Sequence, residues 1–448
     1  MKTKLLLFLV IFQINKITFA QTASASKAFT LADAVAYALQ NSFKAKVSET
    51  EIERAKKKIW ETTAIGLPQV SASAQVNDFI DIPVQVVPGE FFGAPAGTFI
   101  DVRFGTKYTS SASIQASQLL FDGSYLVGLQ ASRAYKNLVQ LQDAQTDIDI
   151  KKSVSQAYVN VLVATESYNK MNEIAKNLEK LFAETKAYFD AGFTEETDVD
   201  QFQITLQNIT NTRDVLAQQI NLAKMVLAIN MGLPVSETVE CVDNLNAIIA
   251  SNGLENANAS GFNANQHIDM KVVNQSKNLL FLDYRNKQSS MLPTLSAFFS
   301  HGQNAFRQTF NIFDFSQRWF PSTVVGVQLN LPILSSGNRL AAAQVAKLEY
   351  KKVEFQQKEF EQALTLQAKQ AEIELNSNKM NYQTALKNAE IAKKIYDRNT
   401  VKYKEGLISS LDLTQAQNQY FQAESAYFQA VSNYLNAAIN FKKATGAL

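Results

Sequence analysis

Sixty-eight consecutive residues, Asn338 to Glu405, contain neither glycine nor proline, and Leu129 to Ala191 is a comparable run earlier in the chain. Nothing in either run stops a helix, and at ~1.5 Å per residue the longer one predicts a rod of roughly 100 Å. Globular helices average ~10–14 residues, so no compact domain accounts for such rods. Each run ends at a lone glycine, in "FDAGFTEETDVDQ" (Phe189 to Gln201) and "YKEGLISSLDLTQ" (Tyr403 to Gln415), and a shorter glycine-free stretch follows. Glycine adopts the left-handed conformation that ends a helix, so both segments read as the reversal of a helical hairpin. Thr194 in the first, and Ser409 or Ser410 in the second, are the candidate caps of the returning helix. Asp198 and Asp412 fall in its first turn, where negative charge suits the helix dipole.

The hairpins belong to a chain written twice. Gly123, Gly192 and Gly232 recur 214 positions later as Gly337, Gly406 and Gly446, with Asp198 and Asp412, and Gln203 and Gln417, in the same register. Pro68 in "GLPQVSAS" pairs with Pro293 in "MLPTLSAF" at an offset of 225, so the first copy has the longer loop before Gly123. Each copy reads as helix, strand, loop, strand, long helix, turn, helix, beginning with a helix over 31–65 capped by Thr30.

After each of these prolines the period changes to two. Val70, Ala72, Ala74 and Val76 alternate with Gln69, Ser71, Ser73 and Gln75, and Ala112, Ile114 and Ala116 alternate with serines and Gln115. In the second copy Leu295, Ala297 and Phe299 alternate with polar residues, although Phe298 breaks the polar side, and Val325, Val327, Leu329 and Leu331 form the fourth apolar row. Such alternation predicts strands with one apolar and one wet face, each near the length a tilted strand needs to cross a bilayer. Between paired strands, 80–107 is rich in proline and glycine and reads as a surface loop, while 302–323 carries Phe306, Phe310, Phe313, Phe315, Trp319 and Phe320. Those aromatics suit either an interfacial belt or a packed loop.

Four strands cannot close. Each open edge in hydrocarbon would leave backbone groups unsatisfied at several kcal/mol apiece, and closed membrane barrels begin at about eight strands. Copies of the chain must therefore combine: two give eight strands, three give twelve, and twelve leave more room for a passage. The returning helix carries two seams in heptad steps. Ala416, Tyr420, Ala423, Tyr427, Ala430, Tyr434, Ala437 and Phe441 form one; Phe421, Phe428, Val431, Leu435 and Ala438 form the other. Two seams predict a neighbour on each side, as in a ring of helices. The first copy keeps one such seam, from Phe202 through Leu206, Ile209, Leu216, Ile220 and Ala223 to Leu227.

The N-terminus reads as a signal peptide over residues 1–20: Lys2 and Lys4, an apolar run Leu5 to Phe12, and Thr18-Phe19-Ala20 before the cut. Its removal takes away Lys2, Lys4 and Lys16, so 43 basic residues become 40 against 41 acidic. A nearly neutral exported chain is a poor partner for nucleic acid. No later stretch is apolar enough for a transmembrane helix. Cys241 is the only cysteine and has no partner for an internal disulfide. His267 and His301 are the only histidines, lack metal-ligand spacing and read as ordinary surface or loop residues; no nucleophile motif or phosphate loop occurs. The reading is therefore not an enzyme, with no cofactor and no metal.

"FTLADAVAYALQNS", "GLPQVSASAQV", "QLLFDGSYLVGLQASRAYKN", "AINMGLP" and "YKEGLISSLDLTQAQNQYFQAESAY", in this order and at the duplication spacing, resemble the TolC-like outer-membrane efflux proteins over nearly the whole mature chain. The resemblance implies an α plus transmembrane β-barrel fold: a homotrimer with a twelve-strand barrel in the cell outer membrane, in contact with its lipid, and an α-helical periplasmic tunnel. It implies the outer-membrane channel component of a tripartite efflux or type I secretion system, a passive duct coupled through a periplasmic adaptor to an inner-membrane transporter. Residue by residue, it implies adaptor contacts at Gly192, Phe193, Gly406 and Leu407 and gate residues at the tips, with Asp412 matching the aspartate that narrows the entrance and Asp198 the acidic partner of a closed-state latch. Gln415 stands where the best-known member has a second acidic residue, and Ile408 where it has a basic one that latches the closed state. The domains expected are a signal peptide (1–20), a first-repeat helix (21–66), a strand pair with an extracellular loop (67–122) and a long hairpin (123–232). An equatorial linker (233–265), a second-repeat helix (266–291), a second strand pair (292–336) and a second hairpin (337–448) complete the chain. The alternative is a periplasmic coiled-coil adaptor, which has one hairpin between two halves of a β-domain, not two hairpins and four bilayer-length strands.

Overall fold

A computed structural model describes residues 27–251, 261–314 and 316–448; the expected signal peptide, part of the expected equatorial linker and Phe315 lie outside the described residues. In chain order the elements are β1 (Lys27–Phe29), α1 (Leu31–Asn41), α2 (Phe43–Ile65), β2 (Gln69–Asp78), β3 (Val84–Pro88), β4 (Phe99–Arg103), β5 (Tyr108–Asp122), α3 (Gly123–Asp190) and α4 (Glu196–Met231). They continue with β6 (Val239–Cys241), α5 (Leu245–Ser251), α6 (Ile268–Ser289), β7 (Thr294–Arg307), β8 (Phe320–Asn330), α7 (Asn338–Lys404) and α8 (Ser410–Thr445). The long runs without glycine or proline make up most of two continuous helices, α3 with 68 residues and α7 with 67. The chain divides into two compact units.

One unit holds residues 44–149, 261–376 and 440–448 and is built around a four-stranded antiparallel sheet in the order β2-β5-β7-β8. The register sorts its side chains by polarity. Val70, Ala116, Phe299 and Val325 lie in one cross-strand row, and the next runs from Ala72 and Ile114 to His301 and Thr323, so one face is apolar with polar interruptions on β7 and β8. Ser71, Gln115, Ser300 and Val324 begin the other face, which continues with Ser73, Ser113, Gly302 and Ser322. A register shift between Leu119 and Phe121 reverses the alternation and brings Phe121 opposite Leu295 on the apolar side. Phe298, the residue that breaks the polar face, sits opposite Gly326, where a Cβ would stand 2.8 Å from its ring. The missing side chain on β8 makes the space that a large residue on β7 fills. β2 and β8 are the edges, and both strands are exposed along almost their whole length.

The segment between β2 and β5 is not structureless: β3 and β4 form their own antiparallel hairpin around a one-turn 3-10 helix at Gly89–Phe92. Its β-branched residues, Val84, Val86 and Val87 against Ile100 and Val102, carried the strand signal that the flanking prolines and glycines obscured. Elsewhere in this unit Asp122 caps α3 by accepting from Tyr125 N–H at 3.0 Å. His267, expected as an ordinary surface or loop residue, precedes α6 but is buried: its Nδ1 faces Asp269 N–H at 3.3 Å as the cap of α6, and its Nε2 lies 3.2 Å from the Lys443 carbonyl. His301 lies within β7, 2.8 Å from the Thr323 hydroxyl.

The other unit holds residues 27–43, 150–251 and 377–439. The first helix expected over 31–65 is broken at Ser42, which is extended (ψ 148°) while its N–H still bonds the Ala38 carbonyl. The backbone there packs so closely on Gly232 that a Cβ would stand 2.3 Å from the Asn41 carbonyl oxygen. Thr30 caps α1 as expected, accepting from Asp33 N–H. β1 pairs in parallel with β6, and the buried Tyr158 hydroxyl donates to the Phe29 carbonyl and lies 2.9 Å from Asp243 Oδ2. Burial pushes the thiol of the half-buried Cys241 up to about 12. The returning helices bury the residues that the spacing selects: Tyr420, Tyr434, Val431, Leu435 and Ala438 on α8, and Phe202, Ile209 and Leu227 on α4.

Candidate functional site: the paired hairpin tips

Both tips are built alike up to the glycine. α3 ends at Asp190, and Gly192 (φ 77°) follows with Phe193 N–H bonded to the Tyr188 carbonyl at 2.9 Å. α7 ends at Lys404, and Gly406 (φ 72°) follows with Leu407 N–H bonded to the Lys402 carbonyl at 2.9 Å. These are the bonds of a left-handed helix stop. No atom lies within 4 Å of a Cβ built on either glycine, so conformation and not packing selects the residue. The next residues, Phe193 and Leu407, are 81% and 67% exposed, which gives each tip a solvent-facing apolar side chain.

Beyond the glycine the copies diverge. Ser409 caps α8: its hydroxyl accepts from Asp412 N–H at 3.2 Å, and Asp412 Oδ2 in return accepts from Ser409 N–H at 3.2 Å. This reciprocal pair is a capping box with aspartate at its third position. The Ser409 side chain, then its backbone N–H, hold the Asp412 carboxyl below the usual carboxylate range. Asp412 and Gln415 are both solvent-exposed. In the first tip the helix starts one residue later than Thr194 would place it: Glu195 is the cap residue and makes no side-chain cap bond. The Thr194 hydroxyl instead donates to Asp198 Oδ2 at 2.5 Å.

Asp198 has a second partner that the sequence did not reveal. The buried Ser410 hydroxyl, on the opposite tip, donates to Asp198 Oδ1 and lies 3.3 Å from Gln201 Oε1. Asp198 and Asp412 thus occupy equivalent repeat positions with different surroundings: one is half-buried between the two hairpins, the other is solvent-facing on its own helix. Below this contact the hairpins share one apolar core, including Met171, Leu178, Phe202, Ile209, Leu413 and Tyr420. Tyr403 extends it, edge-on to Phe202 at 5.5 Å, and Tyr396 stacks on Tyr420 at 5.6 Å. Burial, then the nearby Glu424 carboxylate, raise the Tyr420 phenol above its ordinary range. Lys404 pairs with Glu184 at 2.8 Å, a second polar link between the hairpins.

Open sheet edges with an apolar and a polar face, and two long hairpins joined at glycine tips, define a protomer of the TolC-like channel fold. Among the described residues no helix is long and apolar enough to cross a membrane. Residues 34–226 and 264–447 match the outer membrane efflux protein family, and the chain belongs to that family. It is an outer-membrane efflux protein, and its family comprises efflux ducts and not enzymes. The solved structures similar to it include the CmeC outer membrane channel of Campylobacter jejuni, at 16% identity and TM-score 0.70 over 93% of this chain and 85% of that one. The outer membrane protein VceC of Vibrio cholerae aligns at 13% identity and TM-score 0.67 over 93% and 96%. The open state of the MtrE outer membrane channel of Neisseria gonorrhoeae aligns at 16% and 0.67 over 93% and 88%. No curated protein sequence matches this chain.

Proposed function

We propose that three copies of this chain form a twelve-stranded barrel in the outer membrane and a helical tunnel in the periplasm, and that this duct passively exports cargo delivered by an inner-membrane transporter through a periplasmic adaptor. The observation that carries the reading is the sheet. Its strands alternate in direction, so β8 of one copy meets β2 of the next antiparallel, and a ring of copies satisfies both edges. The segregated faces support an apolar exterior against lipid and a polar interior. In purified form the protein is expected to require detergent, to sediment as a trimer and to produce stepwise ion conductance in planar bilayers. A water-soluble monomer without conductance would falsify the reading.

The tips are the proposed entrance. Three exposed Asp412 carboxylates around one opening form a cation-attracting ring, with Gln415 one turn along and Asp198 behind it. Gly192, Phe193, Gly406 and Leu407 are the proposed adaptor contacts, supported by apolar side chains held outward at a conformationally fixed turn. Asp412→Ala is expected to raise conductance and weaken block by multivalent cations. The folded carboxyl lies below its unfolded value, so the capping box contributes fully above an unfolded pKa of about 3.9 and weakens as pH falls through the lower folded one. Cation block should accordingly persist undiminished from pH 7 down to about pH 5. Loss of block already near neutrality would remove Asp412 from the ring.

A further inference from the structure

We propose that the β3–β4 hairpin is an intersubunit clasp on the outer side of the sheet, and that its apolar face is covered by the β7–β8 loop of a second copy of this chain. The proposal rests on the closed-ring reading above. Pairing of Val84 with Arg103, Val86 with Asp101 and Pro88 with Phe99 sets Val84, Val86, Pro88 and Phe99 on one face, with the oppositely charged Asp101 and Arg103 along its edge on β4. Val84, Val86 and Phe99 are exposed, and the turn adds Phe91 (82% exposed) and Phe92 (59%). Val87, Ile100 and Val102 on the opposite face are half-buried, so the hairpin already rests on its own chain by one side. A two-stranded hairpin is marginal alone, and an apolar patch of this kind marks an interaction surface.

Its position selects the occupant. The hairpin follows β2, one edge of the sheet; the segment preceding β8, the other edge, presents Phe310 and Phe313, 63% and 81% exposed. Within one chain Phe310 meets Tyr108, at the start of β5, edge-on at 5.5 Å, and Phe91, Phe92 and Phe99 of the hairpin stay exposed. When β2 of one copy joins β8 of the next, both apolar loops arrive at the same junction. Charge gives no competing preference: Asp81, Glu90 and Asp101 nearly balance Arg103 and Lys107 along this loop, so an anionic lipid surface does not attract it. Association of two apolar loops needs no charge.

The test uses the full-length protein with Cys241→Ser, carrying Phe91→Cys and Phe313→Cys together or singly, assembled in membranes and treated with a short bis-maleimide. The double variant is expected to give covalent dimers and trimers on denaturing gels, and each single variant none. A double variant that sediments as a trimer but yields only monomer bands, internally bridged or not, overturns the clasp and leaves the channel reading intact. Cross-linking by Phe91→Cys alone overturns it too, since the hairpins would then meet one another. As a second measurement, Phe91→Ser, Phe92→Ser and Phe99→Ser combined should lower the temperature at which trimers dissociate; an unchanged temperature counts against the clasp. Wild-type protein that sediments as a monomer removes both this proposal and the assembly beneath it.

Discussion

Asp198→Ala is expected to raise the conductance of the reconstituted channel more than any other single change at the tips. The carboxylate takes hydrogen bonds from Thr194 on its own hairpin and from Ser410 on the other, across 212 residues of sequence. Hydrogen bonds to a charged acceptor contribute ~1.5–3 kcal/mol each, so losing the one from Ser410 shifts the population of separated tips by roughly ten- to a hundred-fold. Ser410→Ala removes the same link and leaves the charge in place, so the two variants should resemble one another and the double variant should add little. The shared apolar core below the contact is untouched, and both variants should retain wild-type thermal stability as trimers. Conductance unchanged in both would show that the contact ties the hairpins without limiting the opening. A large effect of Asp198→Ala with none from Ser410→Ala would assign the role to charge at the entrance.

The contrast between Asp198 and Asp412 illustrates what sequence conveys here. Local rules located the hairpins: the absence of helix breakers, glycine stops, and heptad seams whose members Tyr420, Tyr434, Val431 and Leu435 are buried. The same rules assigned the strands, because a period of two with one wet face is the pattern of a strand that buries one side only. They failed where tertiary contact outweighs local preference. Ser42 breaks a helix that contains no breaker, because Gly232 packs against the backbone there. Phe298 is out of place on a polar face by pattern alone, and the space it fills comes from Gly326 on the neighbouring strand. His267, by sequence an ordinary surface or loop residue, is buried where it caps α6 and meets the Lys443 carbonyl. At the site, the turn and the first-turn aspartates were legible, and so was a serine cap at Ser409 or Ser410, of which the structure uses Ser409. The Ser410 to Asp198 bond was not, since nothing local to either residue encodes which hairpin lies beside it. The β3–β4 hairpin was hidden differently: prolines and glycines mark the segment as loop and mask the strand preference of its valines.

Gly406→Trp is expected to abolish export by cells while leaving trimers in the outer membrane at wild-type abundance. A residue with a Cβ in the left-handed conformation costs ~1–2 kcal/mol at one position, which a hairpin held by its own buried core can absorb. Open space around the Gly406 Cα means that the indole meets solvent and not the fold. Its bulk therefore falls where the proposed adaptor contact runs, beside Leu407. Gly406→Asn separates conformation from access, because asparagine tolerates the left-handed region and adds little volume. Export retained by the asparagine variant and lost by the tryptophan variant, with equal trimer levels, assigns the surface to a docking partner. Normal export by both would leave the glycine with a folding role alone and place the adaptor contact elsewhere. Loss of the trimer in the tryptophan variant would mean that the turn's conformation matters to assembly more than its exposed surface matters to docking.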